Sequence, residues 1–209
     1  MKKMTKISAT VASLLIVGAA NAATPGVYVG AGAGGSILRT PDVTTSNPIA
    51  STSEKRGGLG GRIFAGYNFN KYFGLEAAFA AFASSSAKAS ALGMSASEKY
   101  SQNALSLVGK GYLPLGESGF NAYALGGVSE VYGEDRYKRS YRGTQLANNS
   151  QTTRALRPTY GVGVSYDVAD HMTTSLEVSR IQGKGNMKTD SHAIPNADMA
   201  TLNLGYNFG

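Results

Sequence analysis

Every second residue from Leu202 to Phe208 is large and apolar (Leu202, Leu204, Tyr206, Phe208), and Thr201, Asn203, Gly205 and Asn207 between them are polar or tiny. Successive side chains of a strand point to opposite faces, so Ala200 to Gly209 reads as a strand with one apolar and one polar face. A soluble sheet seldom shows its last strand this way, with two rings exposed beside the terminus. A transmembrane barrel does, because its closing strand turns apolar residues to lipid and sets aromatics at the interface.

The same ending recurs. Gly66-Tyr67-Asn68-Phe69, Gly111-Tyr112-Leu113-Pro114-Leu115 and Ser165-Tyr166-Asp167-Val168 each close an alternating run, and with Gly205-Tyr206-Asn207-Phe208 they stand about 40 to 55 residues apart. That spacing signals a repeated supersecondary unit. A short turn and a further alternating run follow each of the first three, so the economical reading is four hairpins, or eight strands. A solenoid or propeller needs closer similarity between copies.

Residues Met1 to Ala22 read as a signal peptide, cleaved after Ala22. Lys2, Lys3 and Lys6 make a positive start, Ala9 to Ala20 an apolar run, and Ala20-Asn21-Ala22 a small-x-small cleavage site. The run is too short for a transmembrane helix, and no later segment is long enough either. Residues 23–209 then form one domain of 187 residues. Three of the 20 basic residues lie in the leader, which leaves 17 against 13 acids, a surplus of +4. There is no cysteine and hence no disulfide for an exported protein to rely on. The slightly negative mean hydropathy argues against a helical membrane protein and suits a barrel, whose strands turn half their residues inward.

Alternation predicts strands over Gly26–Leu38, Gly58–Phe69, Tyr72–Phe82, Tyr100–Leu113, Phe120–Val131, Thr159–Val168, about 172–181 and Ala200–Gly209. Their apolar faces read clearly, except for the fifth strand, whose facing is ambiguous, and the fourth, which places Tyr112 inside unless a bulge shifts it. The glycines at every second position of the first strand suit the inner wall of a narrow barrel, where large side chains from elsewhere need room. They do not suit a nucleotide-binding loop, because Pro41, Asp42, Thr44 and Thr45 follow instead of a helix start. The remaining segments, Arg39–Gly57, Ala83–Lys99, Val131–Arg157 and Gln182–Asp198, read as long polar loops of about 16 to 27 residues, whereas the alternate connections have about 2 to 6. Long loops at one rim and tight turns at the other is the outer-membrane pattern. The expected fold is an all-β, eight-stranded antiparallel up-and-down transmembrane barrel with long extracellular loops and short periplasmic turns.

On these features the chain resembles the eight-stranded transmembrane domain of outer membrane protein A and its relatives. The matching stretches are Tyr28-Val29-Gly30-Ala31, Leu75-Glu76, Lys110-Gly111-Tyr112, Leu125-Gly126-Gly127, Gly161-Val162-Gly163-Val164-Ser165-Tyr166, Leu176-Glu177 and Leu204-Gly205-Tyr206-Asn207-Phe208-Gly209. The resemblance implies the outer membrane of a Gram-negative bacterium, with outer membrane lipids and lipopolysaccharide as neighbours. It also implies barrel assembly machinery that reads the C-terminal strand, and a host or surface ligand for the loops. No peptidoglycan-binding domain follows Gly209, so that anchoring role is not implied. Ser175 stands where relatives carry an interior arginine, so a gating pair with that partner is not carried over.

Three groups of residues stand out. Arg62, Glu76, Lys110 and Glu177 fall on the inner face, where two cations and two anions would pair, since lone buried charges are costly. They read as a polar plug, with a narrow gated pore as the alternative; an eight-stranded interior is just wide enough for side chains to fill. Arg136, Lys138, Arg139, Arg142, Arg154 and Arg157, with Arg180 beyond, read as a contact for lipopolysaccharide phosphate, which arginine grips bidentately, rather than for nucleic acid. Tyr67, Phe69, Tyr160, Tyr166, Tyr206 and Phe208 read as interface aromatics. No enzyme is expected. Ser191 beside His192 is not a positioned triad, His192 with Asp190 or Asp198 is a thin case for a dyad, and His171 sits in a turn. No metal-ligand spacing and no cofactor motif occur. A soluble calyx is the remaining alternative.

Overall fold

The computed structural model describes residues 24–39, 51–91, 94–116, 118–141, 144–185 and 193–209. They form ten strands: β1 (Gly26–Arg39), β2 (Ser51–Lys55), β3 (Gly57–Asn68), β4 (Phe73–Ala81), β5 (Ser85–Ala91), β6 (Met94–Pro114), β7 (Phe120–Tyr141), β8 (Thr144–Ala169), β9 (Met172–Ile181) and β10 (Asn196–Asn207). Eight of them close a barrel in the order β1–β3–β4–β6–β7–β8–β9–β10, and β10 returns to β1; every pairing is antiparallel. A closed barrel leaves no backbone donor or acceptor facing lipid, which is the condition for a sheet to cross a membrane. No described helix is long and apolar enough to cross one.

The pleat does the sorting. Val27, Val29 and Ile37 on β1, Leu75 and Phe79 on β4, Val162 and Val164 on β8, and Leu202 and Leu204 on β10 are exposed on the outer wall, whereas Tyr28, Glu76, Ser165 and Asn203 are buried inside. Inner glycines make room for the large inner residues of the next strand. A Cβ on Gly66 would overlap the Tyr28 ring, one on Gly163 the Tyr123 ring, and one on Gly30 the Phe64 ring. At the short-turn end, Asn70 accepts hydrogen bonds from the Tyr72 and Phe73 amides at 2.8 and 3.0 Å. Gly116 and Gly119 take positive φ in the β6–β7 turn, a conformation glycine adopts without a steric penalty.

One sequence expectation needs correction. Residues 83–99 and 131–157, read as loops, are largely strand. β6 runs unshifted from Met94↔Tyr141 to Pro114↔Asn121 on β7, and β8 follows β7 almost to its tip. Above the membrane both faces are wet, so hydrophobic alternation fades while the hydrogen-bond ladder continues. Tyr112 lies inside, where the phase of the fourth strand puts it, with no bulge at its pairing with Tyr123. The open facing of the fifth strand is now set: Asn121, Tyr123, Leu125, Ser129 and Val131 are buried inside, and Phe120 and Val128 are exposed outside.

A transmembrane β-strand needs about 9–11 residues, and β4 and β9 have 9 and 10. β6, β7 and β8 have 21, 22 and 26. Their surplus, with β5 paired to β6 and β2 to β5, forms a five-stranded blade standing above one rim. At about 3.3 Å per residue, the dozen extra residues of β7 reach about 40 Å along the strand.

Candidate functional site

The lumen is built in three layers. In the middle one, Arg62 of β3 forks between two carboxylates, with Nη2 donating to Glu76 on β4 and Nη1 to Glu177 on β9. Lys110 on β6 donates to Glu76 Oε2 at 2.5 Å and lies 3.7 Å from Glu177. The Tyr28 and Tyr123 hydroxyls donate to Glu76 and Glu177, each at 3.1 Å. All four charged side chains are at most 7% exposed. The structure therefore brings Arg62, Glu76, Lys110 and Glu177 into one neutral cluster whose remaining lone pairs are taken by tyrosine. Such satisfaction is what a buried ion network requires. Lys110 Nζ also stands 4.9 Å from the Tyr123 ring centroid and 5.6 Å from that of Phe64, and Arg62 lies 5.1 Å from the latter. Weak cation–π attraction adds to the pairing there.

Toward the short turns, a cavity of about 60 Å³ is bordered by Tyr112, Asn203 and Asn207 and roofed by Arg62 and Glu177. Toward the blade, Leu38, Tyr100, Ala104, Val131, Ile181, Ile194 and Ala197 form an apolar plug, with Phe82 and Ala155 against it. Leu38 and Val131 are 0% exposed. Ile194 reaches the plug from the β9–β10 connection, which is tied down by paired Lys184 and Ile194 backbones at 2.8 and 2.9 Å. Sequence reasoning missed this seal, because Ile194 and Tyr100 sat in or beside segments read as loop. It also missed Tyr123, on the strand whose facing was open; Gly163, a small inner residue on the facing strand, was the available signal.

Among the described residues, the basic side chains read from the sequence divide among separate partners. Arg136 is exposed and doubly bonded to Glu134 at 2.7 and 3.1 Å, and this pairing holds the Glu134 carboxyl below its ordinary range. Arg154 donates to Glu130 at 2.7 Å and to the Tyr132 hydroxyl at 3.0 Å. Arg157 instead holds the chain after β9, donating to the carbonyls of Gln182 and Gly183 at 2.9 and 2.5 Å. Arg180 and Arg39 share Asp198 at the barrel rim. Lys138 is exposed on β7, across from Ser97. Arg139 lies at a register shift of β7 on β8, and Arg142, Asp190, Ser191 and His192 lie outside the described residues. His171 is in the β8–β9 turn, its ring 5.7 Å from that of Tyr206. Among the described residues no group of three or more potential ligands gathers to hold a metal.

Of the aromatics, Tyr67 with Phe69 and Tyr206 with Phe208 meet edge to face at 5.3 and 5.0 Å, and Tyr166 with Phe120 at a tilt at 4.5 Å, around the short-turn end. Tyr160 stands nearer the other rim, paired in register with Arg180.

Eight antiparallel strands, an apolar outer belt with an aromatic girdle, and a charged interior define a transmembrane barrel of the outer-membrane class. The chain belongs to the outer membrane protein beta-barrel domain family, which it matches over residues 7–208. It is 27% identical over 198 residues to an uncharacterized protein of Coxiella burnetii, covering 84% of this chain and 78% of that one. In fold it is similar to the outer membrane protein OprG of Pseudomonas aeruginosa (TM-score 0.55, 14% identity, 88% of this chain and 96% of that one). It is likewise similar to Neisserial surface protein A (TM-score 0.53, 17% identity, 87% and 97%). The family places the chain in the outer membrane of a Gram-negative bacterium.

Proposed function

We propose that this protein is a non-enzymatic structural barrel of the outer membrane, exported with a leader cleaved after Ala22, that serves membrane integrity and presents its blade for adhesion or host contact. The observation that carries the reading is the double seal. The ion cluster fills the middle of the lumen and an apolar plug closes the end beneath the blade, so removing either layer leaves the other. Surrounding lipid, lipopolysaccharide and the machinery that inserts barrels through their last strand are its partners on this reading.

The second reading, a narrow pore, draws on the cavity that reaches Arg62 and Glu177 from the turn end. Planar-bilayer recording separates the two. The structural reading expects silent bilayers for the wild type, for Lys110→Ala and for Ile194→Ala alike. Unit conductance in the wild type, altered by Glu76→Ala or Lys110→Ala, establishes the pore. Gel mobility with and without boiling reports that each variant is a closed barrel.

A further inference from the structure

The blade is an open sheet, and its two edges differ. Beyond Pro158, β8 is hydrogen-bonded to β7 on one side. Among the described residues no strand pairs with it on the other, because the β8–β9 ladder stops at Thr159↔Ile181. The opposite edge, β2, has five residues and ends in Glu54 and Lys55. Shortness and charge are devices that keep an edge from pairing with another chain. From Asn148 to Leu156 the β8 edge has no proline, lysine, acid or register shift. Its one arginine, Arg154, is turned to Glu130 of β7 at 2.7 Å.

One hydrogen bond tells which backbone groups are free. The Pro158 carbonyl accepts from the Gln182 amide at 2.9 Å, on the β9 side. A strand residue turns its N–H and C=O to one side and its neighbours turn theirs to the other. Leu156, Arg154, Thr152, Ser150 and Asn148 therefore present their backbone groups to the open edge, and the odd-numbered residues bond to β7. Such an edge is a template for a further strand.

The sequence identifies that strand. Residues Ala147–Ala155 read A-N-N-S-Q-T-T-R-A, which from either end is small, polar, polar, hydroxyl, with Gln151 at the centre. Antiparallel pairing of two copies about Gln151 sets Ala147 against Ala155, Asn148 against Arg154, Asn149 against Thr153 and Ser150 against Thr152. The even-numbered residues of both copies then face each other, so about four opposed pairs exchange about eight backbone hydrogen bonds. Hydroxyl pairs favour such a ladder, and no two like charges oppose. Copies inserted in one membrane all run β8 in the same direction, from blade to barrel, so their edges meet only in parallel. An antiparallel partner must come from a membrane facing this one. Gln151 lies eight residues beyond Thr159 at the rim, about 26 Å along the strand, so two blades can overlap there with their rims well apart.

We propose that the open edge of β8 is a homotypic adhesion site, which pairs antiparallel with the β8 edge of a second copy in an opposing membrane, in the register Ser150↔Thr152. This rests on the outer-membrane reading above and names the partner for its adhesive role.

The test places the full mature chain in two populations of phosphatidylcholine vesicles, one biotinylated and one fluorescent. Protein in both populations should carry fluorescence onto avidin beads, and protein in one alone should not. Thr152→Pro removes an edge-facing N–H and no bond to β7, and it should abolish the transfer; Thr152→Val, which keeps the N–H, should preserve it. The chain has no cysteine, so Asn149→Cys in one population and Thr153→Cys in the other should join by a disulfide on oxidation, being opposed at a close, non-hydrogen-bonded position. Asn149→Cys in both populations should not. Transfer that survives Thr152→Pro, transfer with protein in one population alone, or an Asn149→Cys homodimer overturns the proposal. Heat-dependent gel mobility separates the remaining outcomes: a wild type that shifts on boiling and does not cluster vesicles overturns this proposal alone, and a chain that never shifts overturns the outer-membrane reading with it.

Discussion

Below Leu105 and Val128 the strands β6 and β7 face hydrocarbon, and above them the same strands, in the same register, face water. In the lower region the outward positions are Leu, Val, Ala, Gly and Phe120, and the inward ones include Lys110 and Tyr123. In the upper region the outward positions carry Lys99, Arg136 and Lys138, and the inward ones Glu98 and Asp135. The pleat is continuous and only the surrounding medium changes. Charges enclosed in the barrel must pair completely, whereas those on the blade tolerate a surplus of one sign, because water screens them.

Cutting one anion from each region gives the widest contrast. Glu76→Gln leaves Arg62 and Lys110 short of a counter-charge inside the barrel and should cost about 3–5 kcal/mol. Glu134→Gln on the blade, where the pair is open to water, should leave stability close to that of the wild type. Urea unfolding in lipid bilayers measures both, and similar losses would end the distinction. Glycine replacements come next. Gly163→Val meets the Tyr123 ring and should destabilise by about 1–3 kcal/mol, whereas Gly126→Ala, whose Cβ has open space around it, should stay within about 0.5 kcal/mol. A comparable cost at Gly126 would mean that the outer wall is packed as tightly as the inner one.

The smallest effect is one of pH. Burial raises the Asp135 carboxyl above its ordinary range, and burial together with Asp135 raises Glu98. A carboxyl raised on folding holds its proton more tightly in the folded state. The stability it contributes is complete below the ordinary carboxylate pKa and is lost as pH rises through the folded value. Amide exchange at the blade should therefore quicken modestly as pH climbs past the ordinary carboxylate range, after correction for intrinsic rates. Asp135→Asn should flatten that dependence, and an unchanged slope would show that these acids are solvated.

Within the membrane the sequence was legible because lipid enforces the pattern. Leu75 and Glu76, or Leu176 and Glu177, announce their faces one residue apart. The fifth strand was obscure because Ala122, Tyr123, Ala124 and Leu125 offer nonpolar side chains to both faces. The open edge of β8 was passed over because residues 131–157 read as polar loop; only their ladder to β7 shows them extended. Ile194 joins the plug through a tertiary return of the chain that no periodicity encodes.

The fork of Arg62 has a consequence for the order of assembly. Its partner Glu76 is on the next barrel strand along the chain, but Glu177 is 115 residues away, and the shorter path between Arg62 and Glu177 around the wall crosses the β1–β10 junction. Until the first and last strands meet, Arg62, Glu76 and Lys110 carry a net positive charge on one part of the sheet, and Glu177 remains a lone anion on the other. Closure of the barrel cancels both. The buried charges thus act as an electrostatic latch that engages only when the two ends of the wall join, and it penalises any inserted sheet left ajar.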